Sequence, residues 1–287
     1  MKKKTLRKNI FKYIFFICIV IFFLFFIFQK FCKKKENLQN ENKKIAIITS
    51  IYGNYDELKE QNINNKSHVD WFCFTDKKIL KKKGWKIINI PYHTINFNEY
   101  YENLKKKDLK YYNMMSSKYF KIKPQNIHFL KDYDYFIWID GSIFLQKDFI
   151  TNILKIIHEN ENYDVIHFKH SSRNNIKDEY LFSMKMNKYK NINLQKQYDD
   201  YTKEGFPDNV GLYENTIIIR KNKSKINNVF DEWFKENMKY GFQDQISLPF
   251  IYWKFKITPY LIEENVFNNK LYSYINIDND FMTNHNW

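Results

Sequence analysis

Asp140 stands at the end of the run YDYFIWI within Tyr133–Leu145 and is followed at once by Gly141 and Ser142. The residues before it are apolar, aromatic and β-branched, the pattern of a strand covered on both faces, and Gly141 breaks that pattern directly after the carboxylate. Other reactive groups sit in comparable places. Asp76 closes the run VDWFCFT, His170 and Arg173 follow Asp164–Phe168 as an HxxR pair, and Asp244 lies between two glutamines at the head of an apolar segment. In an open α/β sheet the carboxyl ends of the strands are where ligands bind, and two acids poised across a bond can work as an acid/base pair. The same residue types also serve as turn formers, helix caps or hydrogen-bonded structural groups, so spacing alone leaves both readings open.

The elements that must hold these groups alternate. Ile45–Thr49, Val69–Thr75, Trp85–Ile90, Tyr135–Ile139, Asp164–Phe168 and Thr216–Arg220 have strand composition. Helices are predicted over Asn113–Phe120 and on toward Lys123, over Asp148–Glu159 with Phe149, Ile150, Ile153, Ile156 and Ile157 at helical spacing, and over Ile226–Met238. Strands separated by helices predict an α/β domain with a mixed, mainly parallel sheet flanked by helices.

Residues 10–28 are nearly all apolar, interrupted by Lys12, and are long enough for a membrane span of about 20 residues. The apolar core exceeds a signal-peptide core of about 7–15 residues and no small-residue cleavage site follows it, so a retained anchor is expected. The domain boundaries read as a basic cytoplasmic tail over 1–12, a transmembrane signal-anchor over 13–31, a polar stem over 32–44 and one catalytic domain over 45–287, a single-pass type II arrangement. The net charge of +15 is unevenly placed: residues 1–44 hold 12 Lys/Arg against 2 Asp/Glu, a net of +10, and residues 45–287 hold 35 against 30, a net of +5. Most of the basicity therefore flanks the membrane, and the domain lacks the charge of a nucleic-acid binder. Cys73 is the only cysteine in the domain, which excludes an intradomain disulfide.

There is no GxGxxG after the first strand, no GxxxxGK[ST], no GxSxG and no HExxH. What occurs in order is IAIITSIYGNYDEL, VDWFCFTD, SKYFKIKPQNIHF, YDYFIWIDGSI, HFKHSSRNNIKDE, YTKEGFP with GLYENTIIIR, and FQDQISLPFIYWK. This series, spanning about Ile45 to Lys254, resembles the glycosyltransferase-like family formerly catalogued as a domain of unknown function, found in plant mucilage and pectin-related Golgi proteins and in bacterial and viral relatives.

The resemblance implies a GT-A-like Rossmann-type fold and transfer of a sugar from a nucleotide-sugar donor to a glycan or glycoconjugate hydroxyl. It implies a Golgi or ER lumen-facing domain, or one on an equivalent host or viral membrane. It also implies a divalent cation, Mn²⁺ or Mg²⁺, at Asp140 and Ser142, although Ser142 replaces the second acid of a DxD motif. A late His is a metal ligand in several GT-A enzymes, but His285 at the chain end reads as an ordinary terminal residue. Under the same resemblance Tyr52, Gly53 and Asp76 meet the donor's base and ribose, Lys118, Lys121 and Arg173 its diphosphate, and Glu214 and Asn215 the acceptor. Asp244, Asp140 and His170 form the catalytic set, with Asp244 the base if the enzyme inverts and a positioning or stabilising residue if it retains. Two other classes compete: a membrane-associated hydrolase of a lipid or glycan using Asp140 and Asp244 as acid and base, and a catalytically silent sugar-binding module.

Overall fold

The computed structural model of the chain describes residues 21–30, 43–53, 56–61, 68–78, 82–95, 109–264 and 269–273. Two compact units emerge, residues 1–43 and residues 44–287. In the first, residues 21–30 form helix α1, every residue of which is exposed, with Phe22 and Phe26 in ring contact. Among the described residues no helix is long and apolar enough to cross a membrane. Part of the expected span, residues 13–20 and Phe31, lies outside the described residues, as do the basic tail, most of the stem and His285.

The second unit is built on a seven-stranded sheet. Its strands are β1 (Ile45–Ile51), β2 (Val69–Thr75), β3 (Lys86–Asn89), β4 (Tyr135–Ile139), β6 (Val165–Lys169), β7 (Tyr213–Lys221) and β8 (Tyr260–Ile262), and a separate pair is formed by β5 (Phe144–Leu145) and β9 (Tyr272–Ser273). The order across the large sheet is β3-β2-β1-β4-β7-β6-β8. Strand β1 pairs in parallel with β2 and β4, β2 with β3, and β6 with β8, whereas β7 runs antiparallel to both neighbours. The mainly parallel α/β sheet expected from alternating strands and helices is therefore present, with one reversed strand near its middle.

The strands explain themselves by alternation. Ala46, Ile48, Phe72, Phe74, Phe136, Trp138 and Ile218 face one core layer. That layer is covered by helices α2 (Leu109–Ile122), α6 (Ser224–Tyr240) and α7 (Asp244–Phe255), with Phe120, Trp233 and Phe250 fully buried in it. Ile45, Ile47, Trp71, Cys73, Ile137 and Ile139 face the other layer, where α3 (Phe149–Glu159) packs Ile153, Ile156 and Ile157. Helices α4 (Ile176–Ser183) and α5 (Leu194–Lys203) complete the first layer.

Two features aim the reactive groups. The first is the reversal of β7. Its amino end lies at the edge where the parallel strands have their carboxyl ends, shown by Asp140 N donating to Thr216 O at 2.9 Å and His170 N to Leu212 O at 3.1 Å. The second is a bulge: His167 pairs with Ile218 but the next residue, Phe168, pairs with Glu214, so Asn215–Ile217 have no partner on β6. A bulge bends its strand and redirects side chains, here Glu214 to Thr216.

Candidate active site

A cavity of about 680 Å³ opens at this edge, in the size range of small-ligand sites. Its walls come from the end of β1, from α2, from the end of β4, from Lys188 and Tyr189, from the start of β7 and from the head of α7. On α2 the lining residues Lys110, Asn113, Met114, Ser117, Lys118 and Lys121 recur at helical spacing, so one face of the helix looks into the cavity.

The floor is a compact charge array. Lys118 Nζ lies 2.6 Å and Lys121 Nζ 2.9 Å from the same oxygen, Asp244 Oδ2. Lys121 Nζ is also 3.8 Å from Asp140 Oδ1 and 5.4 Å from the Trp138 ring centre. Trp138 Nε1 donates to Asp140 Oδ1 at 2.7 Å. The Lys121 and Asp244 side chains are almost fully buried, but Asp140 keeps 38 % exposure toward the cavity.

Burial alone pushes the Asp244 carboxyl up, but the two ammonium groups outweigh it and hold Asp244 well below the usual carboxylate range. Lys118 goes the other way: burial pulls it down to about 8 despite Asp244. Lys121 is raised, because Asp244 and Asp140 together overcome burial. On the opposite side, burial and then the charge of Glu179 push the Glu214 carboxyl up to about 7. Burial and then the charge of Asp140 push Asp56 up to about 6. Asn215 is buried, and neither its Oδ1 nor its Nδ2 finds a partner among the described residues; Asn113 Oδ1 is in the same state. Unpaired buried polar atoms at a cavity wall are positions where a ligand or water is in demand.

Residues 30–280 match the family described as TOD1/MUCI70, glycosyltransferase-like domain. The chain belongs to this family. No curated protein matches it.

The TOD1/MUCI70 domain brings nine of the expected residues to one cavity: Tyr52, Gly53, Lys118, Lys121, Asp140, Ser142, Glu214, Asn215 and Asp244. Tyr52 is pinned there, its hydroxyl donating to Ile90 O at 2.9 Å and its ring stacked on Phe120. Gly53 has φ +63°, and a Cβ on it would lie 2.7 Å from Asn113 Nδ2, so this turn requires glycine.

Three expected residues do not line the cavity. Asp76 Oδ2 accepts from Gly53 N at 3.1 Å, so Asp76 holds the turn after β1, while its Oδ1 finds no partner among the described residues. Arg173 Nε donates to Glu179 Oε2 at 2.5 Å and the guanidinium stacks 4.1 Å over the Phe182 ring. His170 Nδ1 accepts from the backbone N of Ser172 and Arg173, and burial with Arg173 nearby pushes its pKa down to about 4. A neutral His170 stands behind Glu214, its Nε2 3.6 Å from Glu214 Oε1, and does not itself reach the cavity.

Several lining residues escaped the sequence reading, among them Asn113, Lys188, Gln243 and Gln245. Asn113 follows from the periodicity of α2 once Lys118 and Lys121 are known to face a ligand. Lys188 had no signal, being one lysine in the run KMNKYK.

The implied divalent cation fits this donor set poorly. Among the described residues no three His, Cys, Asp or Glu side chains converge as a metal cluster. Asp140 Oδ1 is taken by an indole N–H and lies beside an ammonium, and Ser142 offers only a hydroxyl. Hard divalent cations seek several oxygen ligands, and a neighbouring ammonium opposes them.

Proposed function

We propose that the chain is a membrane-anchored glycosyltransferase that moves a sugar from a nucleotide-sugar donor to a hydroxyl of a glycan or glycoconjugate. The observation that carries this reading is the Lys118–Asp244–Lys121 array beside Asp140 at the floor of the cavity. Family membership supports the transferase class, and the apolar run at 10–28 supports the anchor.

In this reading the diphosphate of the donor lies over Lys118 and Lys121, and the turn of Tyr52 and Gly53 receives the nucleoside. As the acceptor oxygen bonds to the anomeric carbon, the bond from that carbon to the phosphate oxygen breaks, and the nucleoside diphosphate leaves with the electron pair. Fixed cations aimed at that developing charge lower the barrier without reorganising. The acceptor's proton must go to a base, and the charge array moves that role from Asp244 to Glu214. Asp244 is held ionised by two lysines and has little affinity for a proton, whereas Glu214 is shifted to about 7, where exchange near neutrality is efficient. His170 positions Glu214 from behind, and Asn215 presents its unpaired amide to a sugar hydroxyl.

The hydrolase reading needs Asp244 to serve as acid or base beside Asp140, and the same electrostatics oppose it. The test is a thermal-shift screen of the full chain in detergent against nucleoside diphosphates and nucleotide-sugars, followed by transfer assays with the stabilising donor. Stabilisation by one nucleotide class supports the transferase through binding linkage. No shift with any of them sinks it.

A further inference from the structure

The cations of this cavity and its poor donor set for a metal lead to one point beyond the transferase reading, on which it rests. We infer that the lysine pair Lys118–Lys121 takes the place of a divalent cation, so that the donor diphosphate binds and leaves without metal.

Four carboxyls and four lysines line the cavity: Asp56, Asp140, Glu214 and Asp244 against Lys110, Lys118, Lys121 and Lys188. Asp244 lies against both ammonium groups of the pair, and both oxygen–nitrogen distances are of salt-bridge length. Asp140 faces the same side: its charge acts on Lys118, Lys121 and Lys188 alike. A divalent ion seated on Asp140 would stand within a few ångströms of Lys121, the ammonium that already occupies the neighbouring position. Asp56 and Glu214 also feel Asp140, and Lys59 and Lys77 act on Asp56 too. Lysine is a compact point charge with three donors, and it binds phosphate oxygens without demanding octahedral geometry. Asp244 then keeps two adjacent buried lysines charged and aligned, which without it would repel each other and lose protons.

The experiment is calorimetric titration of the full chain in detergent with UDP, GDP, ADP, CDP and inorganic pyrophosphate, each in EDTA and in Mn²⁺. At least one nucleoside diphosphate should bind with the same affinity in both, within about twofold. Lys121→Gln should weaken that binding about tenfold or more in both conditions, the worth of one hydrogen bond to a charged group. Lys254→Gln, on the far end of α7, should leave it unchanged. Binding seen only with Mn²⁺ and abolished by EDTA would overturn the inference while leaving the transferase intact. Failure of every probe in both conditions would end the transferase reading and the inference with it. Should Lys121→Gln fail to fold, the comparison of EDTA with Mn²⁺ on the unaltered chain still decides the matter.

Discussion

A carboxylate shared by two buried ammonium groups has a structural duty as well as a chemical one, and Asp244 is in that position. Asp244→Asn leaves Lys118 and Lys121 facing each other with only the more distant Asp140 to offset their repulsion. It should cost about 3 to 5 kcal/mol in urea unfolding, the usual penalty for breaking a buried pair by removing one partner. Asp140 differs, because its side chain is open to the cavity. Asp140→Ala should abolish transfer while the unfolding midpoint stays close to that of the unaltered chain; full turnover in that variant would remove Asp140 from the site. For Glu214 the expectation is a pH profile. With the unaltered chain kcat should rise as pH increases through about 7, where the carboxyl gives up its proton, and Glu214→Gln should lose that rise along with most of its activity.

Elements decide whether these side chains meet. Helix α7 begins just after Gly241, whose φ is +140° and whose added Cβ would lie 2.7 Å from Ile192 Cγ2. Gly241→Ala should therefore displace the head of α7, which carries Asp244, and weaken nucleotide binding more than it lowers the unfolding midpoint. Behind the site, buried Arg220 on β7 donates to Asn227 Oδ1, Gln125 Oε1 and Ile122 O and stacks on Phe136 and Phe230. Arg220→Leu strands those acceptors and should cost about 2 to 4 kcal/mol in the same assay. Legibility followed the strength of the local pattern. The apolar runs at β1, β2 and β4 and the spacing of Ile153, Ile156 and Ile157 spoke for themselves, and so did Asp140 at a strand end. The reversal of β7 did not, because TIIIR reads alike in either direction. Its reversal is set by pairing with β4 and β6, strands far away in the chain. Asp76, His170 and Arg173 lie off the cavity wall for a related reason: each stands at the expected edge, but hydrogen bonds with Gly53, the backbone of Ser172 and Glu179 engage them.

The whole molecule adds a balance of charges. His167 and His170 are buried neutral, pushed down to about 3 and about 4, so the unfolded chain takes up protons below about pH 6.5 that the folded chain refuses. Their contribution to stability is lost as pH falls through that range. Glu214 opposes them: raised to about 7, it keeps a proton in the fold that the unfolded chain releases above about pH 4.5. Relative to the unaltered chain, Glu214→Gln should therefore gain stability as pH rises from about 5 to about 7, read as urea midpoints across a pH series. For the anchor, the full chain should sediment with membranes and a chain beginning at Lys44, where the second compact unit starts, should not.

The antiparallel strand has a consequence in time as well as in space. Strand β7 is inserted between β4 and β6, and Asp244 arrives later still in the chain. Whatever the order in which the pieces collapse, the cavity floor is unfinished until synthesis has passed Asp244 and β7 has slotted between β4 and β6. A nascent or partly assembled chain would carry Asp140 and the two lysines but no partner to hold them. Ligand capture would thus report that the last long-range pairing is complete, making the site its own certificate of maturity.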